Sequence, residues 1–302
     1  MEKVLVSGAS GFIGSHLIER LKQEGYDVSI VVRPTTDISV VKESVPLQNI
    51  VVLDDREELY RKIKVIEPFI YINLMGMFCT RHNCENITQL VDANIKDSLL
   101  VLDAVNEAGC KRVINTASYW QNRQNKDYSP INLYAAMKQA FETLLAHYIE
   151  NENMSVITLT IFDTYGAGDR RKKILNIVYQ IQDGETLDLT NGEQKMYLCH
   201  IEDIVSGYLT ALEKVKALEG GKALKYALRG NGEPIALKEI LMTAVHVWRK
   251  DVRLNFGAIK RNKAEIDDPN GYGVVLPGWE AKVGLEDGLK KYEKEMQING
   301  GR

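Results

Sequence analysis

The order of apolar and polar positions in the first half of the chain is typical of a parallel sheet covered by helices. Short, almost wholly apolar runs alternate with longer amphipathic segments, and buried parallel strands are apolar on both faces. The predicted strands are Val4–Val6, Val28–Val32, Ile50–Leu53, Phe69–Ile72, Arg112–Ile114 and Val156–Leu159. Helices are predicted over Ile13–Glu24, Glu57–Ile66, Ile87–Ala108 and Leu133–Asn151, each ending near a glycine, proline or asparagine.

The rhythm becomes less regular after Gly166, where short polar and glycine-rich stretches interrupt the apolar runs. This change predicts a smaller C-terminal lobe. We therefore expect an α/β fold, a doubly wound parallel sheet of the Rossmann type, over residues 1–165, and a lobe formed mainly by residues 166–302. Part of about 196–215 is expected to return to the first domain.

Composition narrows the class of partner. The chain has 302 residues, with 38 basic and 41 acidic residues and a net charge of -3. This balance argues against nucleic acid or an anionic membrane as the main partner. No apolar run approaches the roughly 20 residues of a membrane span, and no signal peptide is seen, so a cytoplasmic location is expected. Cys79, His82 and Cys84 lie close together, but no second pair follows at a ligand spacing, so no metal is expected.

A glycine-rich turn lies directly after the first predicted strand and before the first helix. Gly8 suits a tight turn, Gly11 lets backbone N–H groups approach a phosphate, and Gly14 allows close packing of the helix on the sheet. A strand, a turn of this kind and a helix form a dinucleotide-binding fingerprint, with the pyrophosphate at the helix N-terminus. The loop residues predicted to bind the cofactor are Gly8, Ser10, Gly11, Phe12, Ile13 and Gly14.

The end of the second strand favours NADP over NAD. An acidic residue there binds the ribose 2′-hydroxyl of NAD, whereas arginine accommodates the 2′-phosphate of NADP. This strand closes with Val32 and Arg33 and has no acid at its tip. The planar, permanently charged guanidinium of Arg33 suits a phosphate, and Ser10 and Thr35 offer hydroxyl groups beside it.

Three further residues suggest acid–base chemistry. Tyr134 and Lys138 lie one turn apart on a predicted helix, and Ser118 follows the fifth predicted strand. The carboxyl edge of a doubly wound sheet is where such folds bind ligands. An ammonium near a phenol lowers the pKa of that phenol, so we expect Lys138 to tune Tyr134 for proton transfer.

These motifs together resemble the extended short-chain dehydrogenases/reductases that act on nucleotide sugars, over essentially the whole chain. The resemblance implies that Ser118 binds the substrate oxygen, Tyr134 is the general acid or base, and Lys138 also holds the nicotinamide ribose. It further implies that Asp54 faces the adenine, that Leu74 contacts the cofactor, and that Asn94 lies behind the active site. The long helices near Ile87–Ala108 and Leu133–Asn151 would form the interface of a homodimer.

The residues after Ser118 limit the reactions that fit this chain. The 4,6-dehydratases of this family place an Asp-Glu pair there, whereas this chain has Tyr119 and Trp120. Epimerases of the family hold NAD tightly and carry an acid at the end of the second strand, which does not fit Arg33. An NAD-dependent 4-epimerase and a non-catalytic dinucleotide sensor remain the alternatives. The intact set of Ser118, Tyr134 and Lys138 argues against the sensor.

The finer resemblance is to CDP-abequose and CDP-paratose synthases, which reduce a 4-keto-3,6-dideoxyhexose. It is carried by the stretch from Tyr128 to Glu142, by Phe162–Gly166, by Gly192–Lys195 and by Leu276–Trp279. It implies an NADPH-dependent 4-ketoreductase of deoxysugar biosynthesis, as in bacterial O-antigens, with a nucleotide-diphosphate sugar as substrate. Asp163, Lys195 and Arg261 are predicted to contact that substrate. The run Arg170–Lys173 is interpreted as a solvated face, with a contact to the substrate phosphate as the alternative.

Overall fold

The computed structural model describes residues 1–39, 41–171, 173–230, 232–261, 266–269 and 271–299. Its first domain is a doubly wound α/β fold built on a seven-stranded parallel sheet. Its strands are β1 (Lys3–Ser7), β2 (Asp27–Val32), β3 (Ile50–Val52), β4 (Ile70–Asn73), β5 (Arg112–Ser118), β6 (Ser155–Ile161) and β11 (Ala223–Leu228). Their order across the sheet is β11-β6-β5-β4-β1-β2-β3.

Helices cover both faces of this sheet and bury its apolar side chains in two separate cores. One face is covered by α1 (Phe12–Gln23) and α7 (Ile201–Lys216), which pack against each other. The other is covered by α2 (Arg56–Ile66), α4 (Asp97–Glu107) and α5 (Leu133–Asn151). The alternation of apolar runs and amphipathic segments thus gives the predicted fold, and the predicted Rossmann-type architecture is confirmed.

The helix predicted over Ile87–Ala108 is not uniform. It consists of α3 (Ile87–Val91), a π-helical turn (Asp92–Lys96) and α4. A π turn holds one more residue than an α turn, so it cannot be read from a period of apolar positions. Asn94 lies in this turn and is buried, although it is polar. Departures from regular helix of this kind are frequent at functional sites.

Two later elements return to the first domain, one within the stretch of about 196–215 and one beyond it. Helix α7 packs on α1, and β11 then pairs with β6 at the edge of the sheet. The sequence analysis did not predict β11 as a strand. Its first three residues, from Ala223 to Lys225, are exposed, as is typical of an edge strand, so the run lacks the continuous apolar character of the central strands.

The smaller lobe has its own apolar core around Trp248 and Tyr292. Its helices are α6 (Ile174–Gln180), α8 (Leu237–Val247) and α9 (Leu285–Asn299). Short strands accompany them: β7 (Asp163–Tyr165), β8 (Thr186–Leu189), β9 (Lys195–Met196), β10 (Leu198–His200), β12 (Ile235–Ala236) and β13 (Arg253–Phe256). They form three two-stranded pairs, β10 with β7, β12 with β9 and β13 with β8. Among the described residues, no helix has the length and apolarity needed to cross a bilayer.

Candidate active site

The glycine turn between β1 and α1 is tightly packed. Gly8 has a left-handed φ of +75°, and a Cβ on it would lie 2.6 Å from the carbonyl carbon of Leu74. A Cβ on Gly14 would lie 2.3 Å from the carbonyl oxygen of Gly8. Larger residues are therefore excluded at both positions, as the dinucleotide interpretation requires. Gly11 caps the N-terminus of α1, whose first turn carries no acidic side chain. This cradle fits the pyrophosphate of a dinucleotide.

A cavity of about 520 Å³ extends from this turn across the carboxyl ends of β5 and β6. It brings together residues that are far apart in the sequence, including the three predicted catalytic residues, Ser118, Tyr134 and Lys138. The predicted cofactor-binding residues that line it are Gly8, Ser10, Gly11, Phe12, Ile13, Gly14 and Leu74. The glycine turn and the carboxyl edge of the sheet therefore line one site. The sequence analysis identified that edge as the place where ligands bind.

Ser118 is the last residue of β5, and its geometry is fixed by the short 3-10 turn that follows. Its Oγ accepts a hydrogen bond from the backbone N–H of Trp120 at 3.3 Å. Its own backbone N–H donates to the Oε1 of Gln121 at 2.8 Å. Together these bonds form a capping box over Tyr119–Gln121. The hydroxyl is thereby held at the mouth of the cavity.

Tyr134 and Lys138 lie in the first turns of α5. This helix begins after Asn132, whose side chain accepts the N–H of Ala135 at 2.9 Å. Lys138 is buried, and its Nζ donates to the carbonyl oxygen of Met75 at 2.8 Å. Burial lowers the pKa of Lys138 to about 8, and the Glu142 carboxylate one turn further along opposes that shift.

The expectation that Lys138 lowers the pKa of Tyr134 is wrong for the described structure. Burial raises the pKa of Tyr134 to about 12, and the cation that opposes this rise is Arg171, not Lys138. The ammonium of Lys138 is bonded to the loop after β4, and burial dominates the pKa of the phenol. Tyr134 therefore stays protonated throughout the neutral range and is suited to donate a proton.

Asn94 lies close to Lys138 across Gly76. Its side-chain amide donates to the carbonyl oxygens of Leu90 at 2.9 Å and Met77 at 3.2 Å. A Cβ on Gly76 would lie 2.9 Å from Asn94 Oδ1 and 3.2 Å from Lys138 Nζ, so only glycine lets these groups approach. The buried Oδ1 has no hydrogen-bond partner among the described residues. Asn94 thus lies behind the cavity and fixes the loop that Lys138 contacts.

Several aromatic side chains line the cavity together with Tyr134. The Phe78 ring contacts Tyr134 edge-on at 5.4 Å between centroids and Trp120 at 5.2 Å. Tyr119 stacks on Phe162 at 4.7 Å. The sequence analysis did not identify Phe78, because a single aromatic residue in a loop belongs to no periodic pattern of apolar positions. It used Tyr119 and Trp120 only as residues that cannot act as an acid–base pair.

Three cations of the run that the sequence analysis interpreted as a solvated face line the cavity, namely Arg170, Arg171 and Lys173. Arg171 forms a two-pronged ion pair with Asp169 at 2.7 and 2.6 Å, and its guanidinium lies 5.2 Å from the centre of the Phe12 ring. Lys173 donates to the carbonyl oxygen of Thr164 at 3.1 Å. Burial lowers the pKa of Lys173, and Asp163 opposes this effect. Lys172, between them, lies outside the described residues.

Comparisons with known proteins show which family the chain belongs to. A family model described as the NAD dependent epimerase/dehydratase family matches residues 4–226. The chain belongs to this family. It is 27% identical over 297 residues to CDP-abequose synthase of Salmonella muenchen, covering 96% of both chains. It is 25% identical over 334 residues to UDP-glucuronic acid decarboxylase 6 of Arabidopsis thaliana, covering 99% of this chain and 90% of the relative.

A solved structure of another protein has the same fold as this chain. It is the UDP-glucuronic acid 4-epimerase of Bacillus cereus in complex with UDP-glucuronic acid and NAD. It superposes with a TM-score of 0.80 at 20% identity and covers 98% of this chain and 99% of its own.

Three residues predicted for the cofactor site, Arg33, Asp54 and Asn94, are not among the described residues that line the cavity. Arg33 is exposed directly after β2, and its backbone N–H donates to Thr36 Oγ1 at 3.1 Å. Asp54 is exposed after β3 and accepts the N–H of Asp55 at 2.8 Å. Arg33 follows β2, which is next to β1 in the sheet, and Asp54 follows β3, which is next to β2. Their contacts with a dinucleotide stay predictions.

The three residues predicted to bind the substrate are not gathered at one place. Asp163 lines the cavity and accepts a hydrogen bond from the Tyr119 hydroxyl at 3.0 Å. Lys195 pairs with Asp268 at 3.2 Å, and Arg261 pairs with Asp267. Neither cation is among the residues that line the cavity in the described part of the chain. Their contact with a diphosphate also stays a prediction.

Proposed function

We propose that this protein uses NADPH to reduce the C4 ketone of a nucleotide-linked 4-keto-6-deoxyhexose or 4-keto-3,6-dideoxyhexose, as its CDP-abequose synthase relatives suggest. The observation that carries the proposal is the environment of Ser118. Tyr119 and Trp120 stand where a dehydratase needs an acid–base pair, and Tyr119 is bonded to Asp163. Tyr134 lines the same cavity as Ser118 and is kept protonated by burial, so it can supply a proton to the alkoxide. This arrangement supports a net reduction without loss of water.

The nicotinamide dinucleotide, when bound, supplies the hydride. Ser118 orients the substrate carbonyl through its hydroxyl group, and Tyr134 protonates the alkoxide that develops at C4. Lys138 and Asn94 fix the loop after β4 and the ribose side of the site. Arg33 binds the 2′-phosphate, Asp54 faces the adenine, and Leu74 borders the cofactor together with the glycine turn.

The lining of the cavity supports a deoxygenated sugar. Phe78, Trp120 and Phe162 present apolar surface close to the reacting hydroxyl groups. A sugar hydroxyl buried against such a wall without a partner would cost about 1–3 kcal/mol. A methyl or methylene group loses nothing there. The wall therefore favours a hexose that lacks oxygen at the carbons facing it.

The diphosphate of the substrate needs cations. Arg171 and Lys173 line the cavity, and we assign them to it together with at least one of Lys195 and Arg261. Asp163 carries the same charge as a phosphate and cannot bind one directly, so its role is to hold Tyr119. The nucleotide is expected to lie between the two lobes, close to these cations.

We also propose a cytoplasmic homodimer. Ile87 and Val91 on α3 and Leu144 on α5 expose between 36% and 42% of their surface, although they are large and apolar. These residues lie on the two helices that the family resemblance implies as an interface. A second copy would cover them.

An NAD-dependent 4-epimerase is the alternative, because the Bacillus cereus neighbour is an epimerase bound to NAD. The test is incubation of the protein with CDP-, dTDP-, GDP- and UDP-linked 4-keto-6-deoxyglucose and either NADPH or NADH. We expect stoichiometric oxidation of NADPH and a product with a C4 hydroxyl, whose configuration is then assigned by NMR. Interconversion of UDP-hexoses without net cofactor oxidation would establish the epimerase instead. Dinucleotide binding without either reaction would indicate a sensor.

A further inference from the structure

We propose that Gln121 is a positioning residue, which holds Ser118 at a fixed place relative to the helix that carries Tyr134 and Lys138. This inference rests on the proposed function, because it concerns the two hydroxyl groups that would contact the reacting ketone. Gln121 is fully buried and belongs to the short turn after β5. Its side chain touches neither the cavity nor the surface, so its contacts must be explained within the protein.

One end of the Gln121 side chain binds the strand. Its Oε1 accepts the backbone N–H of Ser118 at 2.8 Å. This bond fixes the last peptide of β5, from which the Ser118 hydroxyl projects. A local capping box would explain this contact alone, and in that case any acceptor of similar length would serve.

The other end of the side chain binds the helix. Its Nε2 donates to Glu142 Oε1 at 2.6 Å and to Gln139 Oε1 at 3.0 Å, both on α5. These residues lie one and two turns beyond Tyr134 on the same helix. Glu142 is in turn bonded through its second oxygen to Lys225 of β11 at 2.8 Å. A single amide therefore joins the end of β5 to α5, and an ion pair anchors it to the edge of the sheet.

This link bears on catalysis because proton transfer depends on distance. A displacement of about 1 Å between reacting groups can cost roughly 100-fold in rate. Ser118 and Tyr134 belong to different elements, and backbone hydrogen bonds at 3.0 Å from Ser129 to Gln121 and from Ile131 to Trp120 join the turn only to the segment before α5 among the bonds of the described residues. Gln121 supplies a directed contact between them, with donor and acceptor both satisfied at good distances.

Three variants test the proposal. Gln121→Met keeps the length of the side chain and removes both hydrogen bonds. Gln121→Glu keeps the acceptor for Ser118 but places a second carboxylate against Glu142. Adding Glu142→Gln to it restores a donor and an acceptor in reversed order, because the amide on α5 then donates to the carboxylate at position 121. The matched control is Asn106→Ala, which removes a half-buried amide bonded to Glu152 at the other end of α5.

The assay is steady-state reduction of dTDP- or CDP-linked 4-keto-6-deoxyglucose by NADPH. We expect Gln121→Met and Gln121→Glu to lower kcat by about 10- to 100-fold, with the KM for NADPH changed less than about threefold. The double variant should recover most of that loss, and Asn106→Ala should leave kcat close to wild type. A failed rescue, or an equal loss in the Asn106 control, would overturn the positioning role.

A second measurement needs no substrate and separates this inference from the proposed function. Hydrogen exchange of the Ser118 amide should become faster in Gln121→Met and return toward the wild-type rate in the double variant. If wild-type protein reduces none of these ketones, the proposed function fails, while the exchange rates still decide whether Gln121 holds Ser118 to α5. Unchanged exchange in Gln121→Met would refute the inference even in an active reductase.

Discussion

The Lys138 ammonium donates its hydrogen bond to the Met75 carbonyl oxygen, 2.8 Å away, and so ties α5 to the loop after β4. Burial shifts the pKa values of Tyr134 and Lys138, one helical turn apart, in opposite directions, because it disfavours the phenolate of the one and the ammonium of the other. The phenol is held protonated up to a pKa of about 12, and the ammonium loses its proton at a pKa of about 8. We therefore expect the rate of reduction to fall on the alkaline side as Lys138 is deprotonated, well before Tyr134 ionises.

Replacing Tyr134 with Phe should remove the proton donor without emptying the cavity. A general acid contributes typically 10²- to 10⁴-fold, so kcat should fall within that range. The affinity for NADPH, measured by fluorescence titration, should change little. Ser118→Ala should cost less than Tyr134→Phe, because the serine orients the carbonyl but does not supply the proton. Near-normal turnover of the Phe variant would show that another residue is the acid.

The buried charge of Lys138 should reduce stability in a pH-dependent way. Its pKa falls from 10.5 in the unfolded chain to about 8 in the fold, so between these values the unfolded state binds the additional proton. The free energy of unfolding of the wild type should therefore rise as pH increases from about 8 to 10.5. Below pH 8 the full cost is present, at most about 3 kcal/mol.

Replacing Lys138 with Met tests this linkage. Met fills a similar volume without the charge, although the hydrogen bond to Met75, worth about 1 kcal/mol, is lost. We expect the variant to be more stable than the wild type at pH 7 and the advantage to shrink towards pH 10.5. Urea unfolding at a series of pH values measures it. An advantage that does not change with pH would mean that Lys138 keeps its ordinary pKa in the fold.

Arg33 should determine the choice of cofactor. A charge-assisted contact with the 2′-phosphate predicts that NADPH binds at least about tenfold more tightly than NADH, which corresponds to about 1.4 kcal/mol. Arg33→Ala should remove most of this difference while leaving NADH affinity almost unchanged. Calorimetric titration of both cofactors into both proteins decides the matter. Equal affinities in the unmodified protein would favour the NAD-dependent epimerase.

The cations of the cavity can be separated from those outside it by their effect on substrate binding. Lys173→Met should raise the KM for the sugar nucleotide by about tenfold or more, since one charge-assisted bond contributes about 1.5–3 kcal/mol. At least one of Lys195→Ala and Arg261→Ala should also raise it, while the KM for NADPH stays constant in all three. If none of them changes the KM for the sugar nucleotide, the diphosphate binds elsewhere.

The sheet and the glycine turn were predictable because they follow from local rules. Buried parallel strands are continuous apolar runs, and the crowding around Gly8 and Gly14 leaves no room for a Cβ. Leu133–Asn151 was predicted with the bounds that the structure has, since apolar spacing and a capping asparagine agree there. The strand β11 was missed because its exposed first half reads as a loop.

The surroundings of the site were less predictable, because tertiary contacts determine them. Spacing placed Lys138 beside Tyr134, but it did not reveal that the Met75 carbonyl would take the ammonium. In the sequence, Arg171 belongs to a charged run that was interpreted as a solvated face. In the structure, its guanidinium contacts Asp169 and Phe12. Gln121 gave no signal beyond a capping box, since its partners lie 18 and 21 residues further along the chain.

The position of Asn94 depends on the π turn at Asp92–Lys96, which holds one residue more than an α turn. Deleting one residue there would let the helix become regular, and because the additional residue is taken up within the turn, α3 and α4 would keep nearly the same relative orientation. Ile87 and Val91 would therefore keep their direction, whereas Asn94 would lose its bonds to Leu90 and Met77. The turn thus controls the cavity wall at Gly76 separately from the exposed apolar surface of α3.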